Sequence, residues 1–337
     1  MARFILSRKK VLEQYEILKN VADVVGYNFK ANKEVGKIIE KETEAPIIIS
    51  SQNSLNEIDD KERIIYIIQG DDKEFLKFCV MNGINSFIVD NENDLKRLLS
   101  LEDEINLLVR MKVREHTIYT GKYFVYGIHW KKIQEIIPQL RKNKNIKTLG
   151  IHFHRKTQNI GEWFLKEEFL DVLSEDVINS IDLINIGGGI PVEYANSKPN
   201  INAILSQIKD FKEFVNDLGI KLAIEPGRFI AAPPVKLEAN IINSYENNLI
   251  LDCSVYNTCI DIILMNVKLL VEGEKKFGRY KYLLKGFTPD SMDIFRYRVF
   301  FDEEKRIGDK IVFLNAGAYN FYTEFNNLPR VETIIVP

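Results

Sequence analysis

The stretch RIIYIIQGDDKEFLKFCVMNGINSFIVD (63–90) decides the fold. It opens on an apolar run at 63–68, passes through a helix-like segment at 72–82, and returns to a second apolar run at 86–90. Both runs are nearly continuous rather than alternating, as parallel strands buried on both faces should be. Working outward, the same unit recurs. Further runs lie at 24–29, 46–50, 106–111, 148–154, 182–187 and 221–227, with helix-like segments at 33–42, 92–100, 131–141 and 202–218. Eight strand–helix units over about two hundred residues predict a (β/α)8 barrel in preference to a doubly wound open sheet.

From about residue 235 the pattern changes. Apolar runs at 235–243, 248–255, 265–271, 280–286, 295–301, 309–315 and 331–336 follow one another without evident helices. They predict an antiparallel all-β domain, a sandwich or a barrel. The expected division is a barrel over 7–232 and a β-domain over 233–337, to which residues 1–6 add a strand.

The composition supports two folded domains. The 337 residues are 45% hydrophobic and 28% charged, enough for a sizeable core. A net charge of −2 with both signs mixed along the chain gives no reason to expect nucleic acid or an acidic membrane surface. No apolar run suits a signal peptide or a membrane span. The three cysteines, Cys79, Cys253 and Cys259, show no metal-ligand spacing, and their odd number argues against a disulfide framework. The expected compartment is the cytoplasm.

Barrels carry their chemistry at the C-terminal ends of their strands, so those residues are read together. Lys30 follows the first run and is a candidate Schiff-base nucleophile, an apolar strand end being a poor place to solvate an amine. Gly187-Gly188-Gly189 reads either as a flexible loop or as an anion nest. In Glu225-Pro226-Gly227-Arg228, the guanidinium suits a phosphate and the carboxylate suits a protonated ring nitrogen; a surface ion pair is the plainer reading. Alternation places His152 and His154 on one strand face, but no third ligand follows at usable spacing, so no metal is expected. A lysine, an imidazole, a ring-nitrogen partner and a phosphate cradle together describe a site for pyridoxal 5′-phosphate (PLP).

The chain resembles the ornithine/arginine/diaminopimelate decarboxylase family, which joins a barrel similar to that of alanine racemase (fold type III) to a C-terminal β-domain. Six segments carry the resemblance: Tyr27–Asn32, Gly150–His154, Asn185–Pro191, Glu225–Arg228, Gly286–Asp293 and Asn315–Tyr319. The resemblance implies that Lys30 forms the covalent link to PLP, that His154 stacks on the ring and that Glu225 holds the pyridine nitrogen protonated. Gly188, Gly189, Arg228 and Tyr319 would bind the phosphate with help from Thr157, and Arg110 would lie in the pocket. Asp290 matches an acid that reaches the partner subunit's substrate site, which implies a homodimer with shared active sites.

Two departures bear on the activity. Pro289 stands where the family has a cysteine that reprotonates the α-carbon; Cys259, Tyr256, Lys30 or water would have to serve instead. No acid stands at Leu264–Met265, where ornithine enzymes grip the distal amine, and Asp261 is the nearest candidate. The resemblance implies a decarboxylase of a basic or diamino acid, in the range of ornithine, lysine, arginine or carboxynorspermidine, with a place in polyamine synthesis. An amino-acid racemase, a decarboxylation-dependent transaminase and a non-catalytic PLP-binding relative are the alternatives.

Overall fold

The computed structural model describes residues 1–112, 125–320 and 322–337. Strand β1 (Arg3–Ser7) opens the chain, and the parallel sheet then runs through β2 (Val24–Val25), β3 (Tyr27–Asn28), β4 (Ile47–Ile49), β5 (Ile64–Ile68), β6 (Ser86–Val89), β7 (Ile105–Lys112), β8 (Ile128–His129), β9 (Ile146–His152), β10 (Leu183–Asn185) and β11 (Lys221–Ile224). The strand order is β3-β4-β5-β6-β7-β9-β10-β11-β2, with β8 a short addition to β7. This is the expected barrel.

The first apolar run, read as one strand at 24–29, is broken in two. Val24 and Val25 pair with Ala223 and Ile224 of β11, while Tyr27 and Asn28 pair with Ile47 and Ile48 of β4. One short segment therefore serves both edges and closes the barrel. Gly26 is the break: its N–H donates to Ile224 O at 2.8 Å, the next N–H donates to Pro46 O at 2.8 Å, and a Cβ at position 26 would collide with Ile48 Cδ1. Apolar side chains with almost no exposure, among them Tyr66, Phe87, Leu107, Leu149, Ile151, Ile184 and Leu222, pack the outer face of the barrel against the helices, while Ile48, Ile88 and Leu108 take the inward-facing positions of their strands. Each such burial contributes roughly 1.5–3 kcal/mol.

Helices follow the strands on the outside. Lys33–Glu42 matches its expected segment, and Lys73–Met81, Glu92–Leu99, Trp130–Leu140 and Ile201–Asp217 match theirs within one residue at each end. Leu165–Val172 and Glu175–Ile178 lie outside the expected segments. The Lys33–Glu42 helix starts where it does because the Asn32 side chain accepts from the N–H groups of Glu34 and Val35, a strong N-cap.

The second sheet contains β12 (Val235–Tyr245), β13 (Asn248–Leu251), β14 (Leu270–Val271), β15 (Tyr280–Lys285), β16 (Ile294–Phe301), β17 (Lys310–Leu314) and β18 (Glu332–Val336). Its order is β14-β17-β12-β13-β15-β16, and β1 pairs with both β12 and β18. Most pairs are antiparallel, but β1–β18 and β13–β15 are parallel. The runs at 248–255 and 265–271 are strands only in part, since two short helices, Val255–Thr258 and Asp261–Leu264, interrupt them. Ser254 starts the first of these: its hydroxyl accepts from Tyr256 N–H while its own N–H donates to the Asn257 side chain.

Candidate active site

The strand ends converge on a cavity of about 80 Å³ whose walls include Lys30, Arg110, His154, Thr157, Gly188, Gly189, Glu225, Arg228 and Tyr319. Residues from the first, fifth, sixth, seventh and eighth strand units thus meet in one chamber, joined by a tyrosine from beyond the barrel. Asp290 is not among the chamber's described walls. Lys30 also borders a larger outer groove of about 740 Å³, shared with Asn257, Asn320, Tyr322 and Arg330.

Glu225 is held at the chamber floor. Asn185 Nδ2 donates to Glu225 Oε1 at 2.7 Å, and His152 Nε2 lies 3.1 Å from the same oxygen. A carboxylate only accepts, so the shared proton sits on Nε2. Burial alone would push the Glu225 pKa up; His152, His154 and Asn185 outweigh it, and the pKa falls below its ordinary value. A buried carboxylate held ionised in this way is suited to a protonated ring nitrogen. Asn185 also accepts the Gly187 N–H at 2.8 Å, tying the glycine turn to the same group.

The glycine turn has no room for side chains. Gly187 and Gly189 adopt φ of 70° and 98°, and a Cβ would lie 2.7 Å from Phe153 O and 2.5 Å from Lys156 O respectively. At Gly188 a Cβ would come within 3.0 Å of Glu225 O. The close approach of backbone on every side makes this segment a tightly packed turn rather than a flexible loop.

His154 is a neutral imidazole at physiological pH. Burial, then the charges of His152, Arg110 and Lys30, hold its pKa down to about 4 against the opposing pull of Glu225. Burial also lowers the Lys30 pKa, with Arg110 adding to the effect and Glu225 opposing it. Lys30 nevertheless counts as exposed, because its side chain stands in an open cavity. The expectation of a poorly solvated lysine is therefore corrected in part: protein crowds the amine without enclosing the side chain.

Arg110 is steadied by Asp90, with Nη1 donating to Oδ1 at 3.2 Å, and its guanidinium lies 5.0 Å from the centre of the Tyr126 ring. Arg228, 3% exposed, spends Nη1 on Asp261 at 2.6 Å and on the Tyr194 hydroxyl at 2.9 Å. Its Nε and Nη2 both lie 3.3 Å from Thr157 Oγ1, and the Tyr319 ring is 4.9 Å away. Asp261 is thus buried against Arg228, which corrects its placing as a candidate for gripping a substrate amine. Sequence reasoning missed His152, Asn185, Asp90 and Tyr194 as site residues. His152, Asn185 and Asp90 stand at strand ends, a signal that could have found them; Tyr194 lies in irregular chain and gave none.

Tyr319 is delivered by the C-terminal segment. Its N–H donates to Ala31 O at 2.8 Å, while Asn32 Nδ2 donates to Gly317 O at 2.9 Å and to Asn320 Oδ1 at 3.2 Å. The Lys30 turn and the end of the chain are therefore locked together.

Residues 49–232 match the sequence model of the pyridoxal-dependent decarboxylases, pyridoxal binding domain. The chain belongs to this family. The family's cofactor is PLP, and the lowered lysine, the ionised carboxylate and the glycine cradle fit it. Lys30 precedes the matched residues and is placed with them by the barrel closure. Ornithine decarboxylase of Rattus norvegicus is 26% identical over 305 residues, covering 80% of this chain and 64% of the rat protein. The chain thus spans under two thirds of that relative's length. The carboxynorspermidine/carboxyspermidine decarboxylase of Campylobacter jejuni is 28% identical over 230 residues, covering 62% of this chain and 56% of that protein. The lysine/ornithine decarboxylase of Vibrio vulnificus, solved with putrescine, superposes with a TM-score of 0.78 at 21% identity, covering 100% of this chain and 94% of its own. At that identity the likeness shows the fold.

Pro289 lies on an exposed loop of the β-domain. Within it, Asp293 is wholly buried and accepts from Val255 N–H, Thr288 N–H and the Thr288 hydroxyl. Asp290 accepts from the Tyr256 hydroxyl at 2.7 Å, and the Tyr256 ring stacks 3.9 Å from Phe325. All three cysteines are buried, and none is among the chamber's described walls. Among the described residues, no helix is long and apolar enough to cross a membrane.

Proposed function

We propose that this protein is a PLP-dependent decarboxylase of a basic or diamino acid, releasing carbon dioxide and an amine. The observation that carries the reading is one chamber holding a lysine of lowered pKa, an ionised buried carboxylate and a glycine cradle. The substrate class is supported by the relatives, which include ornithine, lysine/ornithine and carboxynorspermidine decarboxylases.

The chemistry supplied by bound PLP is an electron sink for the pair left at the α-carbon as carbon dioxide departs. Lys30 offers the amine for covalent attachment, and its lowered pKa raises the neutral, nucleophilic fraction. Glu225, kept charged by His152 and Asn185, would accept the ring N–H and hold that proton in place. His154, uncharged, would lie flat against the ring without repelling its positive charge. The backbone of Gly188 and Gly189, the Thr157 hydroxyl, Arg228 and Tyr319 would receive the phosphate. Arg110, oriented by Asp90, would flank the chamber near the lysine. The substrate's distal end would meet Asp290 of the partner subunit, so the working form is a homodimer with two shared sites. Three free, buried cysteines fit a reducing compartment such as the cytoplasm.

Pro289 favours a second reading of the outcome. Proline has no proton to give, and Tyr256, the nearest hydroxyl to Asp290, is already hydrogen-bonded to it. Protonation of the wrong carbon would yield an aldehyde and pyridoxamine phosphate. The test is a substrate panel of ornithine, lysine, arginine, diaminopimelate and carboxynorspermidine, scored for carbon dioxide, amine and aldehyde. Amine with stoichiometric carbon dioxide supports the decarboxylase; aldehyde supports the second reading; no carbon dioxide from any member overturns both.

A further inference from the structure

Arg228 was expected to serve the phosphate, yet its charge is already matched. Its Nη1 donates to Asp261 Oδ2 at 2.6 Å from the side away from the chamber, and Asp261 is not among the chamber's described walls. The opposite edge, Nε and Nη2, faces Thr157 Oγ1 at 3.3 Å, a long and shared contact. Thr157 lines the chamber with Gly188 and Gly189, so that edge is the one an incoming anion would meet. Arginine and aspartate are both buried, at 3% and 7% exposure. Burial works against the charge on Asp261, and Arg228 only partly offsets it, leaving the Asp261 pKa raised.

We propose that Asp261 is a built-in counter-ion that stands in for the PLP phosphate. It satisfies Arg228 while the chamber lacks an anion, and it weakens the hold of Arg228 on the phosphate once PLP binds. The argument is one of linkage. A buried guanidinium without a partner is strongly unfavourable, so Asp261 stabilises the cofactor-free protein. When the phosphate arrives, Arg228 has a second anion, and the two anions repel across it. Whatever stabilises the free state more than the bound state lowers affinity by that difference. Asp261 is on this view a positioning residue that sets cofactor affinity, and its role rests on the proposed PLP site.

The test compares wild-type apoprotein with Asp261→Asn and Asp261→Glu, using PLP, pyridoxal (which lacks the phosphate) and inorganic phosphate. For Asp261→Asn the expected result is a lower apoprotein Tm, a larger Tm gain in inorganic phosphate, and a PLP-over-pyridoxal preference raised by about three- to tenfold. Asp261→Glu keeps the charge and should retain the wild-type preference. A preference unchanged or lowered in Asp261→Asn overturns the proposal. Should that variant be insoluble as apoprotein, recovery in phosphate buffer supports the proposal and failure to recover overturns it. Wild-type protein that binds no PLP sinks the cofactor site itself, an outcome distinct from wild-type binding with an unaltered preference in the variant.

Discussion

His152 Nε2 lies 3.1 Å from Glu225 Oε1, and both side chains are only 3% exposed. His152 Nδ1 is buried with no hydrogen-bond partner, so the ring is committed to the carboxylate through its other nitrogen alone. The contact joins the ends of β9 and β11 across β10, whose Asn185 donates to the same oxygen. Glu225 therefore owes its ionised state to neighbours on two other strands.

Replacing His152 with Phe removes one of those donors. A hydrogen bond to a buried charge is worth about 1.5–3 kcal/mol, so turnover should fall by roughly ten- to a hundredfold. His152→Gln, which keeps an N–H, should recover part of the loss. The same contact predicts pH-dependent stability. The folded pKa of Glu225 is depressed, so its contribution is present above the ordinary carboxylate value and is lost as pH falls through the folded value. In His152→Phe the folded pKa moves back toward the unfolded one, so this acid-range loss should be smaller than in the wild type. Thermal melts across the acid range, with the absorption spectrum of bound PLP, check both statements.

Lys30→Met is expected to abolish covalent retention of PLP while stabilising the apoprotein at neutral pH. The folded pKa of Lys30 is lowered, so the unfolded chain binds more protons in that window and wild-type stability rises with pH there. The advantage of the methionine should therefore shrink as pH climbs through the folded pKa. Apoprotein Tm from neutral to alkaline pH is the measurement; an advantage that grows with pH contradicts the assignment.

Asn32→Ala removes the cap of the Lys33–Glu42 helix and both side-chain bonds to the C-terminal segment. The expected destabilisation is about 2–3 kcal/mol, the sum of a lost cap and lost hydrogen bonds. Because Asn32 ties Tyr319 to the Lys30 turn, PLP affinity should fall as well. Denaturant unfolding and cofactor titration separate the two effects.

Gly189→Ala places a side chain at φ 98° and 2.5 Å from Lys156 O. The turn must open, and PLP affinity should drop by at least about tenfold while far-UV circular dichroism stays that of the parent. Unchanged affinity would mean that the phosphate does not sit on this turn.

Much of the molecule was legible in the chain. Parallel strands buried on both faces leave continuous apolar runs, and the helices between them carry their own caps, as Asn32 does. The (β/α)8 class therefore followed from local pattern, and strand-end logic brought Lys30, His154, Gly188, Gly189, Glu225 and Arg228 to one face. The β-domain was less legible. At 248–255 and 265–271, apolar composition does not distinguish a strand from a short buried helix, and the helices at Val255–Thr258 and Asp261–Leu264 were missed.

What the sequence determined by itself was which residues stand at which strand ends, because periodicity and turn chemistry act over about ten residues. What the tertiary structure decided was who partners whom. Asn185 reaches Glu225 across 40 positions, Arg228 reaches Asp261 across 33, and Gly26 lets one short segment close the barrel onto Ile48 and Ile224. Such pairings depend on barrel closure and on how the second sheet docks, and buried charges then settle on whichever partner the packing brings within reach. For that reason Asp261 could be read as a substrate acid from its place in the chain, and only the folded protein turned it toward Arg228.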